Sequence, residues 1–226
     1  MLSKESETYA VVIHCTTVGR GYYEIKVSDA EGGIYEFMLH EETMVDYRLI
    51  VGKEIDKETF EDLQTCGDYQ QAYSYAIGIL ARRMYTEKEI RRKLYERETA
   101  DGIVCDVVAK LLEVGVLNDG TYARVYIENQ VALGKKSRRQ ILADLHAKGV
   151  STNIIDEMLD LFNEADEFAL IDREIEKLYQ RYSRKDLSDF ELKNKIVQAL
   201  GRKGFQIDDV KRQYEFFIED LAGLLD

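Results

Sequence analysis

Between Leu117 and Val150 the apolar positions recur at helical spacing, in two blocks separated by a basic elbow. Ala123, Tyr126, Ile127 and Val131 gather on one stripe of a first helix. After Gly134 comes the run Lys135-Lys136-Ser137-Arg138-Arg139, and then Ile141, Leu142 and Leu145 form the buried side of a second helix. Ser137 and Gln140 have capping-box spacing, in which two side chains satisfy orphan amides at a helix start. Lys148-Gly149 is a favourable stop, a cation near the carboxyl end followed by a residue free to turn left-handed.

The same pattern recurs on both sides. With a constant shift of 51 residues, 72–111 overlay 123–162: Ala72 meets Ala123, Tyr75 meets Tyr126, Thr86 meets Ser137, and Ile90 and Leu94 meet Ile141 and Leu145. Farther on, Ile103, Val104, Val107 and Leu111 meet Ile154, Ile155, Met158 and Phe162. A third copy fits at a shift of 55, through Ile196, Leu200 and Lys203-Gly204. Its first helix, near Phe168 to Tyr182, fits at 48, which puts seven extra residues into the elbow around Ser183 to Asp189. Thr86…Glu89, Ser137…Gln140 and Ser188…Glu191 are all capping-box pairs. Third helices are predicted over Asp101 to Val114, Thr152 to Phe162 and Ile207 to Leu221, giving nine helices in three triplets. A triplet of roughly 50 residues has little core of its own, so adjacent copies are expected to share apolar faces in an elongated, curved array.

The amino-terminal third follows a different period. Thr8 to Cys15, Tyr22 to Val27 and Ile34 to His40 are rich in β-branched and aromatic residues and predict a three-stranded antiparallel meander. Tyr9, Val11, Ile13 and Cys15 share one alternating face, and Tyr23, Ile25 and Val27 another, so one side of the sheet should be covered. A short helix is predicted over Thr43 to Val51, ended by Gly52, and Asp56 caps another running through Phe60 and Leu63. The division is therefore 1–68 for a β-rich domain, then three-helix repeats at 69–117, 118–163 and 164–226. The fold class is mainly α, with a small β extension.

Charge sharpens this picture. The net charge of −12 is unevenly spread: residues 1–70 carry 6 basic against 15 acidic side chains, 71–150 carry 14 against 10, and 151–226 carry 11 against 18. A locally basic middle suits an acidic partner or a phosphate backbone, although an ordinary solvated set of lysines and arginines fits as well. No stretch approaches the roughly 20 apolar residues of a membrane span, and Met1-Leu2-Ser3-Lys4-Glu5 has no secretory pattern, so a cytoplasmic protein without membrane contact is expected. Cys15, Cys66 and Cys105 are odd in number and far apart, which favours buried free thiols over disulfides or a zinc knuckle. His14, His40 and His146 stand outside any metal or triad motif and are expected to be structural or at the surface. There is no P-loop, dinucleotide fingerprint or nucleophile elbow, so neither catalysis, metal nor cofactor is expected.

The carboxyl-terminal 160 residues or so resemble the RecX family of recombination regulators. The resemblance rests on Gly115-Val116-Leu117-Asn118-Asp119, Tyr122-Ala123, Tyr126, Gly134-Lys135, Ile141, Leu145 and Lys148-Gly149, with Arg83, Thr86, Glu89-Ile90 and Lys93-Leu94 in the first copy. Glu96-Arg97 stands where the family usually has Lys-Gly, and Asn118 where aspartate is common. The resemblance implies a non-enzymatic protein that binds the RecA recombinase filament and opposes its growth, ATP hydrolysis and strand exchange; single- or double-stranded DNA is a second candidate contact, and a monomer is expected. The contact set expected from the basic middle is Lys135, Lys136, Arg138, Arg139 and Lys148, with Arg82, Arg83, Arg91 and Arg92 from the preceding copy and Tyr122 at its margin. Tyr126 lies on the repeated apolar stripe and is assigned to the core. Two other readings remain: a direct DNA-binding module, with Ser137-Arg138-Arg139-Gln140 at an exposed helix start, and a helical-repeat scaffold for another protein.

Overall fold

A computed structural model describes residues 8–158, 161–185 and 187–223; the Met1 to Glu5 stretch lies outside them. Two compact units are resolved, one comprising residues 1–84 and 90–117, the other 85–89 and 118–226.

The first unit opens with β1 (Ala10–Gly19), β2 (Tyr22–Asp29) and β3 (Ile34–His40), followed by α1 (Glu41–Asp46) and β4 (Glu54–Ile55). The sheet is antiparallel with order β3-β2-β1-β4, so the expected meander gains a fourth strand. Two residues leave no readable alternation, which is why β4 escapes the sequence pattern. The face expected for β1 is also corrected. Its register with β2 jumps from Val12↔Val27 to His14↔Lys26, leaving Ile13 as an extra residue. A bulge of this kind inverts the alternation beyond it. Ala10 and Val12 are therefore buried before the bulge, Cys15 packs on the same core after it, and Ile13 is 43% exposed.

The chain leaves α1 early because Arg48 adopts a left-handed conformation at φ 49°, and Leu49 N–H then bonds back to Met44 C=O at 2.9 Å. Met44 and Leu49 are buried against the sheet. Next comes α2 (Lys57–Leu80), one helix where the sequence pattern suggested two. It starts at Asp56, whose carboxylate accepts the Thr59 N–H at 2.9 Å, and packs Phe60 and Leu63 on the sheet. At Gly67 a Cβ would lie only 3.2 Å from the Phe37 ring, so glycine permits the close approach of helix and strand. Ala72 and Ala76 are buried farther along. The helix changes neighbours along its length, which breaks its apolar stripe. With α3 (Glu87–Tyr95) and α4 (Asp101–Glu113) the first triplet is complete, and Ile90, Leu94, Val104, Val107, Val108 and Leu111 are all buried.

The second unit contains α5 (Asp119–Leu133), α6 (Arg138–Ala147) and α7 (Thr152–Glu157), then α8 (Glu164–Tyr182), α9 (Asp189–Arg202) and α10 (Ile207–Gly223). The fold is thus mainly helical, with three three-helix groups and a small antiparallel sheet. Helix α7 is shorter than expected: Met158 caps it, with its N–H bonded in a tight turn to Ile155 C=O, and residues 159 and 160 lie outside the described set. Among the described residues, the α5–α7 and α8–α10 groups have separate apolar clusters. Ala123, Ile127, Ile141, Leu145, Val150 and Ile155 belong to one cluster, while Ile171, Ile175, Ile196, Leu200 and Val210 belong to another.

Leu145 has 0% exposure at the centre of the α5–α7 cluster. Leu145→Ala should cost about 2–5 kcal/mol in urea unfolding. The exposed Val116→Ala should stay within about 0.5 kcal/mol.

Candidate functional site

The basic elbow takes its form from the helix ends around it. All three capping boxes are present. Thr86 Oγ1 accepts the Glu89 N–H at 3.3 Å while the Glu89 carboxylate accepts the Thr86 N–H at 3.2 Å. The reciprocal pairs of Ser137 with Gln140 and Ser188 with Glu191 open α6 and α9. The first two caps do more than cap. Thr86 Oγ1 donates to Lys148 C=O at 2.7 Å, and Ser137 Oγ donates to Lys203 C=O at 2.9 Å. Both hydroxyls are completely buried. Each serves an orphan amide at one helix start and an orphan carbonyl at another helix end, two groups that burial would otherwise penalise.

The accepting turns share one geometry. Val150 N–H bonds to Leu145 C=O at 3.1 Å and Phe205 N–H to Leu200 C=O at 3.2 Å, with Gly149 and Gly204 both at φ 88°. The equivalent turn in the first copy is closed by Thr99 N–H to Leu94 C=O at 3.3 Å, and its left-handed residue is Glu98 at φ 60°. The Lys-Gly pair therefore corresponds to Arg97-Glu98, one residue later than the Glu96-Arg97 expected from sequence. Glycine matters where a cap presses on the turn: a Cβ at Gly149 would come within 2.6 Å of Lys88 Cβ, and one at Gly204 within 2.9 Å of Ser137 Oγ. Glu98 is exposed, and a side chain is tolerated there.

The expected contact residues divide into two groups. Lys148 bonds Glu89 at 3.1 Å and stands 5.5 Å over the Tyr122 ring; the Tyr122 hydroxyl first, and then Glu89, hold its pKa above the usual lysine value. Tyr122 is only 8% exposed and stacks on Tyr126. Lys136 bonds Asp144 Oδ2 at 2.6 Å and the Tyr126 hydroxyl at 3.2 Å, while Tyr126 itself donates to Asp144 at 2.8 Å. Lys136, Lys148, Tyr122 and Tyr126 thus form one intramolecular cluster. Lys135 and Arg139, by contrast, are exposed on either side of buried Ser137, and Arg138 lies 5.3 Å over the Phe162 ring. Arg82, Arg83 and Arg92 are exposed in the first unit, with Arg92 beside Glu96 at 3.5 Å, and Arg91 reaches Cys105 Sγ at 3.7 Å.

Sequence reasoning missed the acids that claim these cations. Asp144 stands four residues before Lys148, the spacing of helix neighbours, but its carboxylate bonds Lys136 while Lys148 bonds Glu89, so local spacing points to the wrong partner. Glu89, a capping-box residue by sequence, also bonds Lys148. Asp119 was also missed: it accepts the Glu87 N–H at 2.9 Å, while burial raises its pKa. The cysteines fall short of the expected burial, since Cys15 and Cys66 are half-buried and Cys105 is exposed. His40 is structural, its Nδ1 accepting the Glu42 N–H at the start of α1. No group of three or more potential metal ligands occurs among the described residues.

The hydrogen bond from Lys136 draws Asp144 below its ordinary 3.8, and Asp144 in turn raises Lys136 above 10.5. The carboxylate's contribution to stability is present above the unfolded-state value and is lost as pH falls through the lowered folded value. That of the ammonium is present below its unfolded value and is lost only in strong alkali. Asp144→Asn should therefore lower the melting temperature at pH 7, and the difference from the parent protein should vanish as pH falls through the lowered folded-state value of Asp144. An offset that persists undiminished in acid would remove the ion pair as the cause.

Comparison with known proteins agrees with the repeat geometry. The family descriptions "RecX, first three-helix domain", "RecX, second three-helix domain" and "RecX, third three-helix domain" match residues 72–111, 118–159 and 164–212. A "Regulatory protein RecX" of Finegoldia magna is 32% identical over 163 residues, covering 70% of this chain and 77% of that protein. One of Levilactobacillus brevis is 31% identical over 176 residues, covering 78% of this chain, but the match spans only 65% of the relative's own length. A crystal structure of regulatory protein RecX superposes with a TM-score of 0.77 at 25% identity, covering 91% of this chain and 99% of the other. No described helix is long and apolar enough to cross a membrane. With three family domains matched in order and a relative 32% identical over most of both chains, the chain belongs to the RecX family.

Proposed function

We propose that this protein binds the filament of the RecA recombinase in the cytoplasm and restrains its growth, ATP hydrolysis and strand exchange, without catalysing a reaction of its own. The observation that carries this reading is the ordered match to all three helical domains of a family whose members are named as regulatory proteins. The elbow geometry supports it. Lys135 and Arg139 present positive charge from a backbone pinned at Ser137, and Arg138 extends the same basic segment. In this reading Lys135, Arg138 and Arg139 contact acidic recombinase surfaces or bound DNA, with Arg82, Arg83, Arg91 and Arg92 as a second group. Lys136, Lys148 and Tyr122 act indirectly, by holding the elbow in shape.

The test is RecA filament length and ATP hydrolysis with and without the purified protein. The parent should shorten filaments and slow hydrolysis. Lys135→Glu with Arg139→Glu should weaken the effect roughly 10-fold, as expected for losing two exposed charge contacts. The melting temperature of that variant should move by no more than about 2 °C. Lys136→Glu should lower the melting temperature as well, because Asp144 loses its partner. Unchanged hydrolysis and filament length at saturating protein would refute the proposal, and tight sequence-dependent binding to bare duplex would favour the DNA-module reading.

A further inference from the structure

The amino-terminal sheet lies outside the matched repeats, and its two edges are built differently. On one side β1 carries register irregularities and is paired only with the two-residue β4, a short and twisted edge of the kind that discourages strand addition. On the other side β3 is the last strand of the sheet, and its seven residues pair with β2 in unbroken register from Tyr22↔His40 to Ser28↔Ile34. It contains neither lysine nor proline, the usual guards of an exposed edge.

The backbone direction along β3 follows from the hairpin. Asp29 N–H donates to Gly33 C=O at 3.0 Å. Alternation along an antiparallel ladder then directs the backbone bonds of Tyr35, Phe37 and Leu39 to β2 and turns those of Ile34, Glu36 and Met38 away from it. Ile34 is 62% exposed and Met38 41% exposed. Facing this edge is α2, and the groove of about 620 Å³ between them is lined by Glu36, Met38, Gln64, Gly67, Asp68 and Gln71. An extended segment placed beside β3, at the usual strand separation of about 4.8 Å, would meet outward backbone groups on one side and the helix wall on the other. The charge is mostly of one sign: Glu24, Glu36 and Asp68 line the groove, and Lys26, bonded to Glu36 and 3.8 Å from Glu24, offsets only one of the three, in a region with 15 acidic against 6 basic residues.

We propose that the β3 edge accepts a strand from a partner protein, an extended segment in which basic residues alternate with apolar ones. Its backbone would bond to Ile34, Glu36 and Met38. Side chains of a strand alternate between the two faces of a sheet, so the segment's basic ones would meet Asp68 on the α2 side and its apolar ones Ile34 and Met38 on the other. This assignment is independent of the recombinase binding proposed above, which is assigned to other residues.

The experiment titrates the full chain with a fluorescein-labelled acetyl-(Lys-Val)4-amide peptide. Expected are saturable binding, slowed hydrogen exchange at the Ile34, Glu36 and Met38 amides, and at least 10-fold weaker binding of the (Glu-Val)4 counterpart. Glu36→Pro removes an outward donor without touching the β2 ladder and should weaken binding at least 10-fold, and Asp68→Lys should weaken it severalfold. If Glu36→Pro disturbs folding, the parent protein with a peptide N-methylated at alternate residues makes the same test from the ligand side, and should show at least 10-fold weaker binding. Absence of saturable binding, equal binding of the N-methylated peptide, or unchanged exchange at the three amides would each overturn the proposal.

Discussion

A helix buried at both ends must find partners for the amides at its start and the carbonyls at its finish, and this chain meets both needs with the same side chains. Thr86 and Ser137 cap their own helices and also donate to Lys148 and Lys203 carbonyls that the helix geometry leaves unpaired. The arrangement works only if the receiving turn lets the cap come close, which is why glycine stands at 149 and 204. A left-handed residue with a side chain costs about 1–2 kcal/mol, and Glu98 bears that cost where it is exposed. The last cap, Ser188, is also exposed and turns its hydroxyl to its own Glu191. The terminal members of the series therefore depart from the inner ones at the positions the interlock uses.

Much of this was legible in sequence because capping and amphipathic spacing are local. The capping boxes at Thr86, Ser137 and Ser188 and the stripe through Ile141 and Leu145 depend on residues within a few positions of one another. The second role of the caps was not legible, since Thr86 and Lys148 are 62 residues apart and Ser137 and Lys203 are 66 apart. Without that link, a shared apolar face looked like the natural way to join repeats, whereas the α5–α7 and α8–α10 groups keep separate cores and meet at polar groups. The bulge at Ile13 was hidden for a related reason: strict alternation in Tyr9, Val11, Ile13 and Cys15 is a sequence property, but register belongs to the pair of strands.

The basic segment shows the same division on a smaller scale. Composition counts Lys135 and Lys136 alike, yet Lys136 reaches Asp144 and Tyr126 while Lys135 is exposed. Neighbouring residues at a helix entry point in different directions, and only Lys136 turns along α6 to Asp144 and across to Tyr126 on α5. Tyr122, at the start of α5, is buried and stacks on Tyr126 beneath Lys148. Charge counting locates a basic region; only the tertiary partners separate its solvent-exposed cations from those bonded within the fold.

That separation has an energetic consequence. An exposed arginine or lysine normally loses rotamer and backbone freedom when it meets a partner, and the loss offsets much of the Coulombic gain. Lys135 and Arg139 lie two residues to either side of Ser137, whose amide, hydroxyl and position are all fixed by the cap and by Lys203. Arg139 Cβ would also stand 3.6 Å from a Cβ at Gly204, so its stem lies against the receiving turn. The backbone beneath these cations is therefore ordered before any partner arrives, and less entropy remains to be lost on binding. The bond that joins the repeats is also what prepares the surface between them.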